Sequence, residues 1–324
     1  MLRSARTLST WALGLALPLA AAIPAAHAQA WPSKPLRLVI AFGPGGIADT
    51  TSRVVAEKLG DKLGQRIVVE NMPGGGGIAA ARAALNAPAD GHTLALLTNG
   101  NAIAVALFKS LPYDPLKDFV QVSRLGYFEF FFATRSDGPY KTLGDVIAKA
   151  KAEPGKLNVG TINPGSTQNL SAELFRSTAN IDATIVPFRT TPDAATALMG
   201  GSLDTVFESY TAVKALVSSG KLRALATTGP KRAPYSADVP TAQEAGVPGY
   251  VVTGWNALAA PVGTPPEVIG VLNKHLNTIV AMPDFRQRMI DLGNEAAGGT
   301  PEDLRKQLVA DIVKWEAVIK KAGI

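Results

Sequence analysis

The chain has 324 residues, of which 47% are hydrophobic and 18% charged, and a formal net charge of +6. That length suits about two domains, and the apolar content provides for packed cores and excludes a disordered chain. The absence of cysteine excludes disulfides and thiolate chemistry, and the scattered Lys and Arg residues speak against a nucleic-acid partner.

The N-terminus reads as an export signal. Arg3 and Arg6 precede an apolar stretch broken by Pro18 and Pro24, which ends in Ala26-His27-Ala28. Residues 1–28 are expected to be a Sec-type signal peptide rather than an anchor. No Arg-Arg pair and no cysteine after Ala28 favour the twin-arginine or lipoprotein routes. The expected mature chain carries 30 basic and 26 acidic residues and is a soluble periplasmic protein.

Strand and helix signals then alternate. Residues 36–42 form a buried apolar run, Gly43-Pro44-Gly45-Gly46 breaks it, and a helix pattern runs over 47–63. Strands at 66–70 and 93–97 bracket a glycine loop at 74–77 and an alanine-rich helix, and Asn99-Gly100-Asn101 opens another helix. A second set follows: strands at 128–134, 157–161, 185–188, 204–207 and 222–227, with helices at 143–151 and 166–178 among them. A long apolar strand at 251–260 precedes helices at 266–280, 285–292 and 301–321. Leu304, Leu308, Ile312, Trp315 and Ile319 form a packing stripe on the last. The alternation predicts parallel α/β sheets with helices on both faces.

Two loops stand out as candidate binding elements. The first comprises Phe42, Gly43, Gly45, Gly46, Ile47 and Asp49, between a strand and a helix. Glycines permit close backbone approach, and a helix N-terminus offers free N–H groups and the positive end of its dipole to an anion. The second, with Thr161, Gly165, Ser166, Thr167 and Gln168, also follows a strand and opens a helix. Ligands of open α/β sheets bind at the carboxyl ends of strands, where such loops lie. The competing reading of each loop is a capped turn. Asn99, Arg189, Phe207 and Glu208 stand at strand ends and complete the candidate contacts, and Trp255 reads as core, hinge or cleft wall.

Catalytic readings lack parts. Gly43-x-Gly45-x-x-Ala48 with Glu70 approximates a dinucleotide fingerprint, but Pro44 is awkward in a phosphate turn and export unfolded leaves no cofactor supply. No basic residue directly follows Gly74 to Gly77 to make a P-loop; a flexible loop is the favoured reading there. Beyond the signal peptide only His92 and His275 occur, both read as surface or capping residues, and no metal or nucleophile-elbow spacing is present. The expectation is no enzyme, no cofactor and no metal.

The motifs together resemble the Bug-type solute receptors of tripartite tricarboxylate transporters. They include Ala41-Phe42-Gly43-Pro44-Gly45-Gly46-Ile47-Ala48-Asp49, Val69-Glu70-Asn71-Met72-Pro73-Gly74, Pro112-Tyr113-Asp114-Pro115, Val186-Pro187-Phe188, Gly220-Lys221-Leu222-Arg223 and Pro261-Val262-Gly263-Thr264-Pro265, in order along nearly the whole chain. The resemblance implies a two-domain α/β fold of the type II periplasmic-binding-protein class, a Venus flytrap with a two-crossing hinge near residues 127–134 and 250–256. Domain one is then 29–130 plus 254–324 and domain two 131–253. It implies carboxylate-bearing solutes, held by residues 42–49 and 161–168, often through ordered waters. The chain departs from the family at Asn163-Pro164, at Asn169 in place of a histidine, and at Val186-Pro187-Phe188-Arg189-Thr190 in place of Val-Pro-Tyr-Lys-Gly. The implied role is capture of a small organic acid, as a monomer, for the permease subunits of such a transporter. Alternatives are presentation of the ligand to a membrane sensor kinase, or a secreted hydrolase.

Overall fold

The structure is a computed structural model that describes residues 31–323, and the expected signal peptide lies outside them. From Pro32 onward the described chain forms one unit. Its first half contains β1 (Leu36–Ile40), α1 (Ile47–Leu63), β2 (Ile67–Asn71), α2 (Ile78–Leu85), β3 (Thr93–Thr98) and α3 (Asn99–Leu107). The long β4 (Phe119–Arg135) follows. Next come α4 (Leu143–Ala152), β5 (Leu157–Ile162), α5 (Thr167–Thr178), β6 (Ala183–Phe188), α6 (Thr191–Met199), β7 (Thr205–Ser209), α7 (Tyr210–Ser218) and β8 (Leu222–Thr227). The chain ends with β9 (Thr253–Pro261), α8 (Pro266–Ala281), α9 (Pro283–Asp291), β10 (Asn294–Ala296) and α10 (Pro301–Ala322).

The strand order is β2-β1-β3-β9-β4-β7-β5-β6, with β8 and β10 also on β4. The outer strands are parallel: β1 to β2 and β3, and β5 to β6 and β7. The central pairings are antiparallel, β4 with β7, β8, β9 and β10, and β9 with β3. The sheet is therefore mixed, which corrects the expectation of parallel sheets. β4 leaves the first half and β9 re-enters it, so the two chain crossings run in opposite directions and pair antiparallel.

β4 belongs to both halves. Residues 119–129 pair with β9, and residues 130–133 pair with β7. The sequence reading reached only its aromatic end. In the earlier part the pairing register shifts at Gln121/Ser123 and Arg124/Gly126, and such bulges break the alternation that marks a strand. The switch occurs between Glu129 and Phe130, where Thr228 ties the crossings together. Phe130 N–H donates to Thr228 Oγ1 (3.0 Å), and Thr228 N–H donates to Phe130 O (3.0 Å). Thr228 Oγ1 donates to Val252 O (2.6 Å), and Val252 N–H returns a bond to Thr228 O (2.9 Å). Thr228 is fully buried, so these bonds satisfy backbone groups that water does not reach.

The cores flank this junction. In the second half Phe207 stacks on Phe130 (5.2 Å between centroids) and meets Phe132 edge-on (5.0 Å), with Phe175 and Tyr250 packed against Phe132. In the first half Leu304, Leu308, Trp315 and Ile319 of α10 are buried, the stripe expected from spacing, with Ile312 partly so. Trp255 is core: it is 1% exposed, and its Nε1 donates to Asp311 (2.5 Å). His92 is buried rather than a surface residue, because Ser33 N–H donates to its Nε2 (3.3 Å) and Asp90 Oδ1 lies 3.2 Å from its Nδ1.

Glu129 is buried at the switch point, its carboxyl filling the space beside Gly229 where a side chain would collide with it. Burial, reinforced by the negative charge of Glu295, pushes its pKa up to about 7. The native state thus holds a proton that the unfolded chain releases above the ordinary glutamate range, and stability falls as pH rises from about 4.5 to about 7. Glu129→Gln is expected to flatten this slope, measured by urea unfolding at intervals across that window. An unchanged slope would contradict the assignment.

Candidate functional site

Both candidate loops lie at the carboxyl ends of parallel strands, but Gly43, Gly45 and Gly46 pack against Thr190, Pro192 and Thr191, while the second loop meets Phe108 and the turns at Gly75 and Gly100. Of the first loop only Phe42 reaches the second, at a cavity of about 20 Å³, room for about one water molecule. Ala41, Phe42, Gly76, Thr98, Gly100 and Asn101 line it from the first half, and Asn163, Gly165 and Ser166 from the second. The described conformation is closed, and a larger guest requires the halves to separate. A groove of about 750 Å³ along α1 and the edge strand β2 lies away from both loops.

The first loop is held from below. Asp49 is 4% exposed, and its carboxylate accepts from Gly45 N–H (3.0 Å), Asn71 Nδ2 (2.9 Å) and Arg53 Nε (3.1 Å). Asn71 Nδ2 also donates to Phe42 O (3.0 Å). Burial works against the Asp49 charge, but the bonds from Arg53, Asn71 and Gly45 outweigh it and hold the pKa below the usual aspartate range. Asp49, assigned to the ligand by sequence, is occupied in shaping the loop. The N-cap of α1 is Gly46, in extended conformation, with no side-chain cap. The first N–H groups of α1 are thus not covered by a capping side chain, the arrangement that suits an anion. Gly45 has φ +87°, a left-handed conformation that glycine adopts without strain.

The second loop uses its side chains internally. Ser166 is the N-cap of α5: its Oγ accepts from Asn169 N–H (3.1 Å) and donates to Ile162 O (2.5 Å). Asn169 accepts from Gly165 N–H (3.2 Å) and donates to Thr161 Oγ1 (3.3 Å). Thr161 is fully buried, Thr167 nearly so, and Gln168 bonds to Glu208. Glu208 is 2% exposed and accepts from Thr191 Oγ1 (2.7 Å) and Ser209 N–H (2.8 Å). Burial raises its pKa, and these bonds oppose the rise.

Other candidates lie apart. Phe207 is 0% exposed inside the aromatic core, which corrects its assignment to the cleft. Adjacent strand residues point to opposite faces, so Phe207 and Glu208 do not share a wall. Arg189 is exposed, and Asn99 spans the crossing, donating to Thr253 O (3.1 Å) and accepting from Trp255 N–H (2.8 Å). Sequence reasoning missed the glycine turn at Gly75–Gly77, read as a flexible loop. Tyr113 hydroxyl donates to Gly76 O (2.6 Å) and in turn accepts from Asn101 Nδ2 (3.0 Å). It also missed half-buried Phe108, whose ring fits against Gly76 and Gly165 and so joins the halves. The glycine run was the available signal for the turn.

Close approach by small residues seals the rest of the interface. A Cβ on Gly43 would lie 2.6 Å from Thr190 Cγ2, and one on Gly46 would lie 3.1 Å from Thr191 Oγ1. On the other side of the cleft Lys214 Nζ donates to Asp291 O (2.7 Å), and Thr211 hydroxyl donates to Leu292 O. Among the described residues no cluster suits a metal ion, and no helix is long and apolar enough to cross a membrane.

Two α/β halves with opposed loops, joined by a shared strand and a return crossing, make this a two-lobed binding protein of the type II periplasmic class. Residues 51–324 match the model of the tripartite tricarboxylate transporter family receptor, and the chain belongs to that family, one of solute receptors rather than enzymes. Protein BugT of Bordetella pertussis is 32% identical over 313 residues, 96% of each chain. Rpa4515 of R. palustris, solved with adipate, matches with a TM-score of 0.87 and 32% identity over 91% of this chain and 99% of its own. MatC from Rhodopseudomonas palustris, solved with malate, matches at 0.83 and 34% over 89% and 100%.

Two outcomes follow from this geometry. Asp49→Ala leaves Gly45 N–H without its acceptor and Asn71 with only Phe42 O, and is expected to cost ~1–3 kcal/mol near neutral pH, measured by urea unfolding. The wild-type contribution is lost as pH falls through the depressed Asp49 pKa, so the two proteins converge in acid. Gly43→Ala is expected to hold the lobes apart and raise the radius of gyration in X-ray scattering. Thr190→Ser keeps the bond from Asp193 N–H while removing Cγ2, and in the double variant it restores the compact form.

Proposed function

We propose that this receptor works in the periplasm, where it captures a small organic acid and delivers it to the membrane subunits of a tripartite tricarboxylate-type transporter. The observation that carries the reading is the cavity between the halves, lined by Phe42 of the first glycine loop and by Asn163, Gly165 and Ser166 of the second, with the uncapped N-terminus of α1 at Gly46 opening from the first loop. A carboxylate placed there meets backbone N–H groups and the positive end of the helix dipole, with no ion pair required. Residues 29–130 with 254–324 and residues 131–253 act as the two closing bodies, after cleavage behind Ala28. The adipate and malate bound by the two solved relatives support a dicarboxylate or hydroxy acid as the ligand class.

The mechanism is closure driven by differential binding. An acid that bonds to both loops has more partners in the closed form than in the open one, and it shifts the population accordingly. Removal of water from those charge-assisted bonds strengthens them. The closed surface is then the form that a membrane partner distinguishes.

A thermal-shift screen of the mature protein against malate, adipate, citrate, glutamate, nicotinate and benzoate tests this. An acid at about 100 times its Kd is expected to add roughly 2.7 kcal/mol of stability, while its neutral amide adds none. No shift with any of the acids would overturn the reading.

A further inference from the structure

Asn163 is 6% exposed, lines the cavity between the loops, and has a buried side-chain Nδ2 with no hydrogen-bond partner. Its backbone sits at φ +32°, in the left-handed region that asparagine tolerates better than most residues. The main-chain groups are occupied: the N–H donates to Phe188 O (2.8 Å), and the carbonyl accepts from Ser166 N–H (2.9 Å). Neighbouring polar side chains on the cavity wall are occupied as well. Ser166 caps α5, and Asn101 bonds to Tyr113 and accepts from Thr98 N–H (2.8 Å). A buried amide donor left unpaired is costly, so its retention calls for an acceptor that arrives from outside the chain.

We infer that Asn163 is a specificity-determining ligand contact whose carboxamide Nδ2 donates to an oxygen of the captured acid. The inference rests on the acid-binding reading above and adds which side chain selects among acids. The first-half wall of the cavity holds Phe42, Gly76, Thr98 and Gly100, and the α1 N-terminus follows Phe42 in the chain, so a ligand that reaches from Asn163 to that helix end carries an oxygen acceptor at each end. This favours a short dicarboxylate or hydroxy acid over a monocarboxylate with an apolar tail. The left-handed backbone also determines the best variant: glycine adopts that conformation freely, so Asn163→Gly removes the carboxamide without straining the turn.

The test is titration calorimetry on wild type, Asn163→Gly and Asn163→Asp. The probes are malate, succinate and adipate, with the monoacids butyrate and hexanoate as matched controls. For the diacid or hydroxy acid that binds wild type most tightly, Asn163→Gly is expected to weaken binding roughly tenfold or more, as loss of a bond to a charged group does. Asn163→Asp replaces the donor with an anion and should weaken it further, while the monoacids change little. The Asn163 side-chain amide signals should also shift in nitrogen-resolved NMR of wild type on addition of that acid. Unchanged affinity in Asn163→Gly, or an equal loss for diacids and monoacids, would overturn the inference and leave the acid-binding reading standing. Failure of wild type to bind any of the five acids would overturn the inference, which commits to a short dicarboxylate or hydroxy acid, while the acid-binding reading falls only if the wider panel above also fails.

Discussion

One buried threonine joins the two crossings of this molecule. Thr228 bonds to the backbone of β4 at Phe130 and to the returning chain at Val252, with two bonds to each. Each such bond contributes about 0.5–1.5 kcal/mol net, and an unmade one at this depth costs more. The crossings are therefore coupled through one paired seam, and the turns that meet across the cleft are carried on the two halves it joins.

Within the cleft, side chains and backbone divide the work. Asp49, Asn71, Ser166, Asn169 and Glu208 spend their polar atoms on the loops themselves. This leaves the first N–H groups of α1 without a capping side chain and the Asn163 Nδ2 without a partner. A site built this way is pre-organised, since its donors are fixed before the ligand arrives and little ordering entropy is lost on binding. The cavity lining contains no Lys or Arg, and Arg189 is exposed and stands outside it.

Much of the fold was legible because its elements are regular. The apolar run of β1, the spacing in α1 and the stripe on α10 each report a local period. The glycine loops were legible as binding candidates because strand, glycine and helix follow one another directly. Roles that depend on tertiary partners were not. Asp49 reads as a free carboxylate until Asn71, 22 residues away, and Arg53 are placed against it. Phe207 and Glu208 read alike as strand-end residues, yet one enters the aromatic core and the other bonds to Thr191. β10 has only three residues, too few for a pattern, and it forms by pairing with β4 at Gly126 to Phe128. The unpaired amide of Asn163 appears only once the surrounding walls are in place.

The native chain contains no cysteine, so two introduced ones can be labelled without background. The most direct test of closure about Thr228 is a spin-label distance between exposed Glu57 on α1 and Ser219 after α7, each replaced by cysteine, with and without an acid identified by calorimetry. The account predicts a broad distribution in the free protein that collapses onto one short distance with the acid. A bound acid that leaves the distribution unchanged would contradict it.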